Sequence, residues 1–254
     1  MWLDLAALEQ RLNTRLLGRR LIYLTSTGST QDVARGEAER DAAPGTAVIA
    51  EEQTAGRGRF GRSWVSPAGQ NLYLTLLLRP PLERLRPLSI VAPLAVALAI
   101  EDETGLRPQI KWPNDVVMVG RKLSGVLIES ELAGRKVRYS LVGIGVNVNF
   151  DIEESSEIAG IATSVKRELG RAVPREALLA SLLNRFEALY DDPAPAFAQW
   201  RARLETLGRR ITVRFRDQAY EGVAEDVDAN GNLILRRPDG TALTIEAGEV
   251  TLRA

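Results

Sequence analysis

The chain of 254 residues has no cysteine and no histidine. Without cysteine there is no disulfide, no thiolate nucleophile and no Cys-ligated metal. Without histidine the commonest general base and the commonest zinc ligand are gone, with every Ser-His-Asp or Cys-His arrangement. Net charge is missing too: 33 Lys plus Arg stand against 33 Asp plus Glu. Such a chain lacks the basic field of a protein that coats nucleic acid or anionic lipid. The longest uncharged runs, residues 63–78 and 87–100, have 16 and 14 residues, short of the roughly 20 that a membrane span needs. The N-terminus carries Asp4 and Glu9 where a secretion signal carries base. These absences predict a soluble, cytoplasmic protein whose partners are neither DNA nor membrane. Its chemistry must run on Lys, Arg, Asp, Glu, hydroxyls and backbone amides.

Apolar residues make up 45% of the chain, enough for a sizeable core. Leucines at 3, 5, 8, 12 and 16 predict a short N-terminal helix. A strand over 21–24, a helix over 31–40 and strands over 46–50 and 72–78 follow. Residues 87–104 read as a helix opened by Pro87 and closed by Gly105, with Leu88, Val91, Leu94, Ala95 and Leu98 as its apolar stripe. Strand patterns cover 116–119, 126–130 and 137–149. A helix starting at Pro174 carries Leu178, Leu179, Leu182, Leu183, Phe186 and Leu189 on one face. After Gly208 short strand patterns alternate with turn signals such as Asn230-Gly231-Asn232 and Asp239-Gly240. That texture predicts a small all-β barrel, with domains over 1–207 and 208–254.

The segment Gly56-Arg57-Gly58-Arg59-Phe60-Gly61-Arg62 packs three glycines and three arginines into seven residues. Glycines let backbone amides close on a ligand, and guanidinium forks grip carboxylate or phosphate. A solvated arginine-rich turn and an RNA contact are the competing readings. Trp64, just after it, suits either the cover of a heterocycle or the core. Lys111-Trp112-Pro113-Asn114-Asp115 precedes an apolar strand, with Pro113 expected to keep Trp112 extended. It can balance an anion, read hydrogen-bond edges or form only an Asx turn. Lys122 sits just before a buried-looking strand. In residues 142–149 Val142, Ile144, Val146 and Val148 alternate with Gly143, Gly145, Asn147 and Asn149. Glycines in a strand mark close approach, by a ligand or by a packed helix. These segments together supply cations, neutral amides and no nucleophile. That set suits attack by a bound carboxylate on a nucleotide α-phosphate, where the protein orients and neutralises two anions.

The run from Gly56 through Trp64 to Tyr73, Lys111–Asp115, Arg121-Lys122-Leu123-Ser124-Gly125 and the Gly143–Asn149 strand, in that order, resembles the biotin protein ligases over nearly the whole chain. The resemblance implies an α+β fold: a mixed sheet with flanking helices, related to class II aminoacyl-tRNA synthetase cores, and a small SH3-like C-terminal β-barrel. It implies that biotin and ATP, with Mg2+, give biotinyl-5′-AMP, and that a lysine of a biotin carrier domain then takes the biotin. Carried over by position, Ser29, Thr30, Gln31, Gln53, Arg57, Gly58, Arg59 and Lys122 fall on the biotin side. Arg57, Arg59, Arg62, Trp64, Asp115 and Asn147 fall on the adenylate side. Lys122, Arg59 and Lys111 stand at the reacting centre, and no residue is assigned to a metal. Gln31 departs from the family's Ser-Thr-Asn triplet, which reads Ser29-Thr30-Gln31 here. Monomer and homodimer both stay open. A lipoate or octanoate protein ligase is the nearest alternative enzyme. A biotin-responsive DNA-binding regulator is disfavoured by zero net charge and by the short segment ahead of the first strand.

Overall fold

The computed structural model describes residues 2–215 and 217–252. Asp4 opens the helix α1 (Leu5–Arg11) by accepting a hydrogen bond from the Ala7 N–H, and the helix buries Leu8. The strand β1 (Leu21–Leu24) leads into α2 (Thr30–Glu39), capped by the Ser29 hydroxyl. The next strand, β2 (Ala47–Ala50), lies parallel to β1, so α2 is the crossover of a βαβ unit. In β3 (Leu72–Leu78) every residue is buried, as expected of a strand covered on both faces.

Beyond it come α3 (Leu88–Thr104), β4 (Gln109–Lys111), β5 (Asp115–Met118), β6 (Arg121–Ala133) and β7 (Lys136–Val146). Three helices follow, α4 (Val165–Leu169), α5 (Arg175–Asp191) and α6 (Ala196–Ala202). Seven strands form one mixed sheet in the order β1-β2-β3-β7-β6-β5-β4, antiparallel except for β1–β2. The helix α3 is buried almost all round rather than along one stripe. Ile90, Ala92, Val96, Ala97 and Ala99 are buried with the expected residues, while Leu98 is only partly so. The cause is a double covering: β6 packs on it from the sheet, and α5 and α6 from the other side. No helix among the described residues is long and apolar enough to cross a membrane.

The C-terminal strands are β8 (Arg210–Phe215), β9 (Gln218–Val227), β10 (Leu233–Arg236), β11 (Ala242–Ile245) and β12 (Glu249–Leu252). They pair antiparallel in the order β11-β10-β9-β8-β12. The expected small β-barrel is present as five antiparallel strands, left unclosed, with no pairing between the outer strands among the described residues. Its Val213, Leu233, Leu235 and Val250 share one continuous core with α3, α5 and the large sheet. Trp112, 2% exposed, ties the two sheets: its backbone N–H donates to Thr206 Oγ1 and its Nε1 to the Gly231 carbonyl.

Candidate active site

The two-residue alternation of β7 decides where the site lies. Val142, Ile144 and Val146 point into the core, so Gly143 and Gly145 face the other way and floor a cavity of about 370 Å³. Both glycines are needed for what lies on them. A Cβ on Gly145 would stand 2.5 Å from the Trp64 ring, and one on Gly143 3.0 Å from Gln31 Nε2. The floor therefore receives an aromatic ring from a loop and a side chain from the start of α2.

At the buried end the polar side chains hold one another. Gln53 Oε1 accepts from the Thr30 N–H at 2.9 Å and from the Thr30 hydroxyl at 3.1 Å. Thr75 donates to Thr30 Oγ1 at 2.9 Å, and Gln53 Nε2 donates to Ser66 Oγ at 3.1 Å. Beside this network Glu51, at the end of β2, forms a buried pair with Arg175 of α5 at 2.7 Å. It also accepts from the Leu3 N–H and the Tyr23 hydroxyl. Burial pushes the Glu51 carboxyl up, but the bonds from Arg175, Tyr23 and Leu3 outweigh it and hold the group below its ordinary value. Burial and the Glu51 contact together push the Tyr23 hydroxyl up to about 12.

The open end is cationic. Lys122, at the start of β6, pairs with Asp115 at 2.8 Å and lies over the Trp64 ring, 5.3 Å from its centre. Arg59 reaches Asn114 Oδ1 at 2.6 Å, and Asn114 is itself fixed by donating to the Val126 carbonyl at 2.7 Å. Burial pushes the Arg59 guanidinium down from its ordinary value, while Asp115 and Glu249 pull it up. Arg57 pairs with Asp32 at 2.6 Å and Arg62 with Glu249. The loop is thus better tied than three neighbouring arginines suggest, because each has found its own partner. Phe60 holds it in a left-handed turn, φ 57°, with the Arg59 guanidinium 4.8 Å above its ring.

Every residue carried over by position lines this one cavity: Ser29, Thr30, Gln31, Gln53, Arg57, Gly58, Arg59, Arg62, Trp64, Lys111, Asp115, Lys122 and Asn147, whereas Asn149 does not and is held by the Val173 backbone instead. Asn147 is engaged already, its amide donating to the Thr163 carbonyl at 3.1 Å. Trp112 is not in an extended strand before Pro113; the Trp112–Pro113 peptide is cis and sits in the turn between β4 and β5. That turn places Lys111 opposite Asp115. Among the described residues no group of three or more acidic side chains is disposed to hold a metal ion. Asp115 and Glu249 are the carboxylates in the lining.

Sequence reasoning missed two parts of the wall. Gly248, Glu249 and Val250 come from the C-terminal sheet, and Ile158, Ile161 and Ala162 from the segment before α4. A backbone bridge fixes the latter, with Lys122 N–H donating to the Ile161 carbonyl at 3.0 Å and Thr163 N–H to the Lys122 carbonyl at 2.9 Å. Neither segment carries a motif of its own. Nothing in the sequence marked them, since the exposure of Ile161 shows only in the fold.

Comparison with known proteins agrees with this geometry. Residues 23–147 match the Biotin/lipoate A/B protein ligase family, and residues 206–253 the Biotin protein ligase C terminal domain. The chain is 42% identical over 214 residues to the biotin–[acetyl-CoA-carboxylase] ligase of Paracoccus denitrificans, covering 80% of this chain and 88% of that one. To the bifunctional ligase/repressor BirA of Bacillus subtilis it is 35% identical over 237 residues, 90% of this chain and 73% of the relative. The biotin protein ligase of Aquifex aeolicus, solved in complex with biotin and ATP, superposes with a TM-score of 0.79 at 32% identity. The match covers 92% of this chain and 99% of that one. A mixed sheet with a glycine floor, a Gly-Arg loop over it and a small sheet closing one wall are here carried by a sequence this similar to those enzymes, and the chain belongs to the biotin protein ligase family.

Proposed function

We propose that this chain activates biotin with ATP and transfers it to a lysine of a biotin carrier domain, as a biotin protein ligase. The observation that carries this is the meeting of the Gly-Arg loop, the Lys111–Asp115 turn, Lys122 and the glycine floor around one cavity. In the first step a biotin carboxylate oxygen attacks the α-phosphorus of ATP, and pyrophosphate leaves. Two anions must be brought together, and charge builds on the phosphorus oxygens. Lys122, Arg59 and Lys111 are the cations at this centre, with Arg57 and Arg62 in the loop beside it. In the second step the carrier's lysine amine attacks the acyl carbon, AMP leaves with the C–O bond electrons, and the amine loses its proton.

Ser29, Thr30, Gln31 and Gln53, at the buried neutral end, fit the uncharged ring of biotin, with Gly58 and Arg57 closing from the loop. Trp64, Asp115 and Asn147 fit the adenylate side. Magnesium fits as the companion of the nucleotide. A hard cation bound mainly by phosphate oxygens and water needs only one or two carboxylates, and Asp115 and Glu249 line the cavity. When bound it supplies neutralisation of phosphate charge. Residues 1–207 form the part that carries the site in this reading, and 208–254 a second unit whose β12 completes the wall. The test is incubation with biotin, ATP, magnesium and a carrier domain, read by intact mass. One added biotin per carrier is the expected result. Transfer of lipoate in place of biotin, or no transfer, overturns the reading.

A further inference from the structure

Four of the five cations that line the cavity are held by a partner. Arg57, Arg62 and Lys122 sit on carboxylates, and Arg59 on Asn114. Lys111 has no side-chain partner among the described residues, so its backbone alone decides where the ammonium stands. That backbone belongs to β4, three residues long and the outermost strand of the large sheet. So short an edge strand, with β5 as its one neighbour in the sheet, has little of its own to keep it in place. The chain after α6 supplies the other side. Ile110 N–H donates to the Arg203 carbonyl at 2.8 Å and Glu205 N–H to the Ile110 carbonyl at 3.0 Å, the first rung of a parallel ladder. The next donor along that edge, the Trp112 N–H, goes to a side chain instead, Thr206 Oγ1, at 3.0 Å. The indole of the same residue donates to the Gly231 carbonyl at 2.9 Å. Gly231 is fixed in turn by Asp228, which accepts from the N–H groups of Asn230 and Asn232 on either side of it. Ile110 and Trp112 are both buried in the core, so strand alternation turns Lys111, between them, toward the cavity. Thr206 is fully buried and outside the cavity lining.

We infer that Thr206 is a positioning residue for the adenylation step: by holding the Trp112 backbone it sets the place of Lys111 and of the turn that carries Asn114 and Asp115. This rests on the ligase reading above and adds to it a residue from outside the cavity. A lysine held only by its strand follows any slip of that strand, and a misplacement of about 1 Å is worth up to roughly 10²-fold in rate. The neutral end of the cavity does not lean on β4. Its hydrogen-bonded side chains are Thr30 of α2, Thr75 of β3, Gln53 and Ser66. Loss of the Thr206 contact is therefore felt in the chemical step and not in the binding of biotin.

The test compares Thr206→Val, which keeps the shape and removes the acceptor, with Thr206→Ser, which keeps the hydroxyl. Calorimetry gives the number of biotin sites and their affinity. Biotin-dependent pyrophosphate exchange is then expressed per biotin site, so that unfolded chains do not count. Thr206→Val should bind biotin as wild type does and exchange roughly ten- to hundredfold more slowly. Thr206→Ser should exchange at close to the wild-type rate. Wild-type exchange in Thr206→Val overturns the inference, and so does a Thr206→Ser that is as slow as Thr206→Val. Biotin affinity that falls together with the rate overturns it as well, since Thr206 would then be a general support of the fold. Should Thr206→Val not fold, Trp112→Phe decides, because it gives up the bond to Gly231 and keeps the one to Thr206. Slowed exchange at intact biotin affinity there supports the inference, and wild-type exchange overturns it. A wild type without biotin-dependent exchange overturns the ligase reading itself, a distinct result.

Discussion

At the buried end of the cavity Thr30, Gln53, Thr75 and Ser66 hold one another through neutral hydrogen bonds. At the open end Arg57 and Arg62 pair with Asp32 and Glu249 in contact with water. The side chains of the Arg57–Asp32 pair are 40% and 56% exposed. Exposed ion pairs are worth only about 0–1 kcal/mol and are easily exchanged for another anion. Buried neutral bonds are not, since breaking one strands a desolvated polar group. One end is thus built as a fixed shape and the other as a reserve of charge. A molecule with a neutral ring and an anionic tail would meet the two in order.

The largest expected effect comes from undermining the fixed end. Glu51→Gln leaves Arg175 buried without its carboxylate, and removing one partner of a buried pair costs about 3–5 kcal/mol. Urea unfolding should show that loss at neutral pH. The pH dependence has a definite sign. Because the folded Glu51 carboxyl lies below its ordinary value, its contribution is complete above about pH 4.3 and is lost as pH falls through the folded value. Wild type should lose stability more steeply than Glu51→Gln below about pH 4.3. Parallel curves would mean the pair adds nothing to the rigidity of this end.

Removing the central cation is next in size. Lys122→Ala should lower biotin-dependent pyrophosphate exchange by roughly 10²–10³-fold, the scale for a lost donor to a developing negative charge. Its circular dichroism should match that of wild type. Exchange at the wild-type rate would reduce Lys122 to a partner of Asp115.

Arg59→Ala tests the reserve of charge itself. Its contact with Asn114 is one that an acyl phosphate could replace. The variant should release biotinyl-adenylate roughly tenfold faster, the scale of a charge-assisted bond, while ATP alone binds nearly as before. An unchanged off-rate would place Arg59 outside the bound adenylate.

The smallest effect is on the loop's exposure. Trypsin should cut at Arg57, Arg59 or Arg62 in the free protein, and biotin with ATP should slow those cuts as the arginines turn to the ligand. Equal rates in both states would describe a loop whose three pairs do not exchange.

Much of the site was legible in the sequence because its parts break local rules. Three arginines among glycines, glycines alternating with valines in a strand, and a lysine before a buried strand are each poor choices for a plain structural segment. Strands with long patterns were legible too, β3 to the residue. The three residues of β4 hold too few alternations to register, and β12 was missed where β1, equally short, showed as an unbroken apolar run. The burial of α3 on nearly all sides could not be read as a stripe, because it depends on which elements cover it.

Residue types alone determined the kind of chemistry: no thiolate, no imidazole, many guanidinium and ammonium groups, and glycines where a ligand comes close. They also fixed the strand faces, since side-chain direction alternates with a period of two whatever lies opposite. Tertiary structure decided who meets whom. Glu249 reaches the cavity wall only because β12 pairs with β8 and both share a core with the large sheet. Ile161 does so only through its backbone bridge to Lys122. Likewise Gln31 Nε2 is met by the Leu127 carbonyl, about a hundred residues away in the chain, while its Oε1 is buried with no partner among the described residues. Such contacts are set by long-range packing, for which neither local propensity nor periodicity carries a signal.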